Sequence, residues 1–175
     1  MIKSYSIIMM NTFWSRSKNP AHRYLSNFQP CPLVIPSDFF VSYVTGYTFP
    51  SVENAFQACK YAYSDGPVHI QELTGCLAKE AKSMGSKGGM KKRRTTLDVK
   101  TWNSVSYECM SELLKLRFEQ DPQFRETILS TEGKFYHIET RPPYIWGGCM
   151  KNGVWVGQNR LGEIMNSFNK NTTSF

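Results

Sequence analysis

Residues 48–63, TFPSVENAFQACKYAY, decide how this chain is read. Val52, Ala55, Phe56, Cys59 and Tyr63 fall at i, i+3, i+4, i+7 and i+11, the spacing that lines apolar side chains along one face of an α-helix. Ser51 stands where such a helix needs an N-cap. Across the helix, Glu53, Gln57 and Lys60 recur at i, i+4 and i+7 and point one way. Taken alone, that face reads as a solvated one with a weak helix-spaced pair. Its sharper reading is a carboxylate, an amide and an ammonium lining a cleft suited to a sugar phosphate.

Upstream, LVIPSDFFVSYVTGYTF (33–49) is rich in Val, Phe and Tyr and broken by Pro36-Ser37-Asp38 and Gly46, which predicts a β-ribbon with turns. Downstream, Ile70, Leu73, Leu77, Ala81 and Met84 predict a second helix over 68–84, stopped by Gly85. The glycine-rich, basic GSKGGMKKRRTT (85–96) reads as a loop. A third helix is expected over 98–119 and a short fourth after Asp121-Pro122, where Asp caps and Pro suits the first turn. KFYHIET (134–140) alternates like a strand, and RPPYIWGGCMKNG (141–153) cannot be helical. Leu161, Ile164, Met165 and Phe168 stripe a last helix, and NKNTTSF is expected to fray.

The expected fold is mostly α with a few short β strands, an α+β arrangement without the βαβ alternation of a parallel-sheet nucleotide-binding fold. Phe56, Leu73, Met110, Leu113 and Ile164 are its expected core. At 175 residues, one domain over 1–175 is the simplest organisation.

The chain carries a net charge of +7, which favours anionic partners such as phosphorylated metabolites or nucleic acid. Its five cysteines form no CxxC pair, a pattern of reduced thiols in a cytoplasmic setting; Cys59, Cys76 and Cys109 fall in helix-like runs. The start, MIKSYSIIMMNTF, has no signal-peptide core, and no run approaches the roughly 18 apolar residues of a membrane span. A soluble protein with no membrane partner is expected.

Several chemistries are missing from the sequence. GSKGGMKK lacks the spacing of a phosphate loop, no HExxH or GxSxG occurs, and His22, His69 and His137 are isolated. No metal or other cofactor is expected. Three further places carry two readings each. Trp102 and Trp146 suit either packing or stacking on a base. GQNRLG (157–162) suits either helix capping or holding an anion.

YLSNF (24–28), TFPSVENAFQACK (48–60), AKSMGS (81–86), Trp102 to Phe118, EGKFYHIET, IWGG and GQNRLG together resemble the NADAR (YbiA-like) family, in the family's order and from about Phe13 to Phe168. The resemblance implies a mostly α, YbiA-like fold and N-glycosidase activity, hydrolysing the bond between a base and ribose. It puts Glu53, Trp102 and Glu139 in the catalytic set. Asn27, Gln57, Lys60, Lys82, Arg117, Trp146, Gly157 and Asn159 fall in the substrate-binding set, with Gly162 also matching. The lysines and Arg117 are expected on phosphate oxygens, the tryptophans on a base, and Asn27 and Asn159 on ribose hydroxyls. The sequence departs from the family at Pro143, where an acid is usual, and at Ser106, where a base is usual.

The substrate expected is ADP-ribosylated guanine, as a nucleoside or in DNA or RNA. The alternatives are the phosphorylated ribosyl-aminopyrimidines of riboflavin synthesis, or a non-catalytic binder of ADP-ribose-like nucleotides. Plain nucleic-acid binding through Lys87–Arg94 lacks an evident aromatic platform.

Overall fold

A computed structural model describes residues 9–170. In chain order the elements are β1 (Met10–Phe13), α1 (Pro20–Tyr24), β2 (Leu33–Val34), β3 (Thr48–Phe49), α2 (Val52–Ala62), α3 (Ala78–Met84), α4 (Lys87–Lys92), α5 (Val99–Gln120), α6 (Pro122–Ser130), β4 (Lys134–His137), β5 (Cys149–Lys151), β6 (Val154–Val156) and α7 (Arg160–Lys170). Two 3₁₀ segments, Ser42–Val44 and Pro67–Thr74, join them. Helices dominate and the strands are short, as expected for this α+β class. The backbone gathers into two compact units, Asn27–Arg125 and a unit built from both ends of the chain, up to Ser26 and from Glu126.

In the Asn27–Arg125 unit, α2 begins where its sequence predicts. Ser51 Oγ accepts the backbone N–H of Asn54 at 3.2 Å. Val52, Ala55 and Cys59 are wholly enclosed, and Phe56, Leu73, Met110 and Leu113 are buried as expected. The predicted ribbon is reduced to β2 and β3, antiparallel with Leu33 opposite Phe49. The outer edge of β2 is completed by a side chain: Gln120 accepts from Val34 N–H at 2.9 Å and donates to Val34 O at 2.8 Å.

Two expectations are corrected here. The helix predicted over 68–84 is two pieces, because Gly75-Cys76-Leu77 forms a turn between the 3₁₀ segment and α3. Asn54 reaches from α2 and donates to the carbonyls of Leu73 and Cys76, both at 2.9 Å, so the chain's own peptide groups are satisfied in a bend rather than a helix. Cys76 therefore lies in a turn.

The basic stretch expected as a loop contains α4. Ser86 Oγ caps it, accepting from Gly89 N–H at 3.0 Å, and Lys91 and Lys92 sit in its last turn, where cations suit the helix dipole. Gly89 supplies closeness rather than flexibility, since a Cβ there would meet the carbonyl oxygens of Ser83 and Met84.

In the other unit, β1 pairs in parallel with β4, Phe13 opposite His137 and Met10 opposite Lys134. Neither β1 nor the β5–β6 hairpin is evident from periodicity. In α7, Leu161, Ile164 and Met165 are buried as the stripe predicts. The expected leader-free start up to residue 8 and the fraying tail from residue 171 lie outside the described residues. Among the described residues, no helix is long and apolar enough to cross a membrane.

Candidate functional site

The polar residues of α2 are not a solvated face. Every residue from Val52 to Cys59 is buried, so the helix carries Glu53, Asn54 and Gln57 into the interior of its unit. A buried polar group is costly unless its neighbours answer it, and here some do. Gln57 Nε2 donates to Glu53 Oε1 at 2.9 Å, one helical turn away. The backbone N–H of Glu53 donates to Asn27 O at 3.1 Å, which ties the YLSNF segment to the first turn of α2. Lys60 Nζ donates to Gly85 O at 2.6 Å.

The electrostatics follow from that burial. Desolvation raises the Glu53 carboxyl above its ordinary value of 4.5, against the opposing pull of Lys82, the Gln57 hydrogen bond and Lys60. Desolvation also lowers the Lys60 ammonium from 10.5, with Glu53 opposing. Both groups are pushed toward neutrality. Such a displacement of proton affinities toward the neutral range marks sites of acid–base work. Lys82 is exposed on α3, its ammonium 5.1 Å from the centroid of the Phe28 ring, beside Asn27.

Two acceptors in this cluster have no hydrogen-bond partner, Asn27 Oδ1 and Gln57 Oε1, on side chains only 6% and 7% exposed. Asn27 directs its donor to Met110 Sδ at 3.3 Å. The cluster is thus rich in acceptors: a carboxylate and two amide oxygens. The ligand it suits carries donors, such as hydroxyls or ring and exocyclic N–H groups.

Two of the other expected residues have inward duties. Trp102 is buried, tilted against Phe56 at 5.1 Å and Tyr63 at 6.1 Å between ring centroids. Arg117, expected on phosphate, is fully enclosed; its Nε lies 3.2 Å from Asp121 Oδ2 and its guanidinium 4.1 Å from the centroid of Phe124. The charge is already matched by a carboxylate and a ring face at the α5–α6 junction.

Glu139, Trp146, Gly157 and Asn159 belong to the unit of the two chain ends. Glu139 Oε2 accepts from Gly147 N–H at 2.9 Å, and its own N–H donates to Gly148 O at 2.9 Å, so it clasps the IWGG loop. Trp146 is half-buried and its carbonyl accepts from Leu161 N–H at 2.9 Å. Asn159, at φ +53°, accepts from His137 N–H and donates to Phe135 O, both at 2.9 Å. Its amide is thus engaged at both ends by the backbone of β4. Gly157, at φ +141°, lies against Gly147 O, where a Cβ would collide.

Sequence reading passed over Asn54 and took Gly85 for a helix stop alone. Asn54 sits between the apolar stripe and the polar triad, at a spacing that favours neither, and only its two carbonyl partners reveal it.

Comparisons with known proteins bear on the whole chain. The family model described as NADAR domain matches residues 12–171. A maize protein named riboflavin biosynthesis protein PYRR, chloroplastic, is 29% identical over 148 residues, covering 80% of this chain but only 22% of its own length. N-glycosidase YbiA from Shigella boydii is 29% identical over 122 residues, 70% of this chain and 69% of that protein. The NMR structure of Escherichia coli YbiA superposes with a TM-score of 0.66 at 24% identity, over 95% of this chain and 88% of that one.

Proposed function

This chain belongs to the NADAR domain family, and from that premise we propose that it is an N-glycosidase, a hydrolase that cleaves the base–ribose bond of a phosphorylated nucleotide. The observation that carries the reading is the buried Glu53 carboxyl, held by Gln57 and facing Lys60 and Lys82. Names borne by relatives support it: N-glycosidase for YbiA, and riboflavin biosynthesis for the maize protein.

In the reaction, water adds across the C1′–N bond, its hydroxyl going to C1′ and its remaining proton to the departing base. The ribose passes through an oxocarbenium-like state. A carboxylate at Glu53 stabilises the positive charge growing on the sugar or takes the proton of the attacking water. Lys82 and Lys60 supply the positive field for one phosphate. Asn27 offers its carbonyl oxygen to a donor of ribose or base. Arg117 holds α5 and α6 rather than phosphate, which suits a small monophosphorylated ribosyl-aminopyrimidine.

ADP-ribosylated guanine, within nucleic acid, stays as a second reading for one reason. Residues 79–94 hold seven lysines and arginines against one acid, Glu80, and Lys87, Lys91, Lys92 and Arg94 are exposed on and beside α4. We take the two compact units as one domain, because the family match runs through both. Unpaired cysteines at 31, 59, 76, 109 and 149 support a reducing, cytoplasmic setting.

The test is incubation with a panel of ribosylated bases, including the aminopyrimidine phosphate and ADP-ribosyl guanosine, with released base followed by mass. Release from either one, abolished in Glu53→Gln, is expected. Tight binding with no release from any member would make the protein a nucleotide binder.

A further inference from the structure

Gly85 follows α3 at φ −79° and ψ 0°, a right-handed conformation open to any residue, so the turn does not require glycine. Space does. A Cβ at this position would overlap Gln57 Oε1 and lie 2.6 Å from Gln57 Cδ and 3.3 Å from Gln57 Cγ, and no other residue comes closer. The same residue's carbonyl accepts from Lys60 Nζ. Gly85 therefore touches two polar residues of α2, the buried Gln57 and the half-buried Lys60, and it is the bare Cα that gives the Gln57 amide its seat.

That seat decides which end of the amide meets the carboxylate. With Oε1 lodged over Gly85, Nε2 is directed to Glu53 Oε1 at 2.9 Å. Gln57 Oε1 gains no hydrogen bond from the arrangement, although it is buried. An orphaned acceptor destabilises the fold, and what the arrangement secures in return is a fixed donor on Glu53. The charged groups facing Glu53 are Lys60 from its own helix and Lys82 from α3.

We propose that Gly85 is a positioning residue for Glu53, acting through Gln57: by lacking a side chain it holds the Gln57 amide in register with the carboxylate. The inference rests on the hydrolase reading for its meaning in catalysis, but its geometry stands apart from it. A methyl at position 85 displaces the far end of a flexible side chain and leaves the backbone in place, so the fold tolerates the change while Glu53 loses its donor. The Gln57 hydrogen bond lowers the proton affinity of Glu53; without it the carboxyl holds its proton to higher pH.

The experiment is a carbon NMR titration of protein labelled at the glutamate carboxyls, with the Glu53 signal identified by its loss in Glu53→Gln. In both Gly85→Ala and Gln57→Ala the Glu53 midpoint is expected to move upward. The double variant should match Gln57→Ala alone, since the methyl then has nothing to displace. An unmoved midpoint in either single variant, or a further rise in the double, overturns the proposal. Should Gly85→Ala fail to fold, the double variant decides: folded with the midpoint of Gln57→Ala, it supports the seat, and unfolded, it shows a clash elsewhere. The acid limb of kcat/KM should follow the same pattern. If no base is released from any substrate, the hydrolase reading falls while the titration still reads the seat.

Discussion

The guanidinium of Arg117 lies 4.1 Å from the ring centroid of Phe124, with its Nε 3.2 Å from Asp121 Oδ2, and no part of the side chain reaches solvent. An enclosed, matched charge of this kind is a fixture of the fold. Removing one partner strands the other, at a cost of about 3–5 kcal/mol. Arg117→Met should therefore lower the urea midpoint strongly, and the fraction that stays folded should bind a phosphorylated ligand with unchanged affinity. A selective loss of phosphate binding at full stability would return Arg117 to the ligand.

Glu53→Gln separates chemistry from stability. Turnover should fall by at least about 10² with binding kept, the size of effect expected when a positioned acid–base group is lost.

The same variant should be more stable than the parent, with a definite pH dependence. Burial raises the Glu53 carboxyl above 4.5, so ionising it opposes folding wherever the unfolded chain is already ionised. Its favourable contribution is full below that ordinary value and is lost as pH climbs through the folded-state value. The melting temperature of Glu53→Gln should accordingly exceed that of the parent at neutral pH, the gap closing toward about pH 4. A gap that widens on acidification would contradict the burial of this charge.

Neutralising Lys91, Lys92 and Arg94 tests the nucleic-acid reading. All three are exposed, while their neighbour Arg93 is tied to Glu72 at 3.4 Å and is left intact. Hydrolysis of a free nucleotide should be unaffected. If ADP-ribosylated DNA is a substrate, its affinity should drop, and the slope of log affinity against log salt should flatten by about one for each phosphate no longer neutralised. Equal impairment on both substrates would place these residues in the fold.

Gly162→Ala examines the brace of the other unit. A Cβ there would meet Phe135 O and stand 2.5 Å from the Asn159 amide nitrogen, which itself donates to Phe135 O. Backbone crowding of this sort costs about 1–3 kcal/mol. Thermal unfolding should remain one transition at a lower midpoint; two resolved transitions would mean that the two units unfold separately.

The features legible in the sequence are those with a period. Val52, Ala55, Phe56 and Cys59 announce α2, Ser51 its start, and Leu161, Ile164 and Met165 the inner face of α7. Period says nothing about which way a polar face looks. Glu53, Gln57 and Lys60 have the spacing of a surface triad, and only the packing of α3 and Asn27 around α2 makes it internal. Glycine misleads for a related reason. In GSKGG the composition suggests flexibility, yet Gly89 is there to let α4 approach the end of α3, a closeness that local propensity cannot express. Arg117 and Asn159 stand out in the sequence through their place in a family pattern. Their partners, Asp121 with Phe124 and the β4 backbone, come from the packing and cannot be read from that pattern.

The parallel ladder of β1 with β4 joins Met10 to Lys134 and Phe13 to His137, and this has a consequence for how the molecule is made. On a ribosome adding about 5–20 residues each second, β1 emerges roughly 6–25 s before the strand it must pair with. Through that interval its ladder partners are missing and Phe13 lacks Phe135 and His137, with only the His22 ring at hand for the Thr12 carbonyl, whereas Asn27–Arg125 is by then complete in sequence. The earliest strand among the described residues is thus seated late, and synthesis that stalls short of β4 releases a nascent chain with an open strand edge, a form inviting capture by chaperones or by another copy of itself.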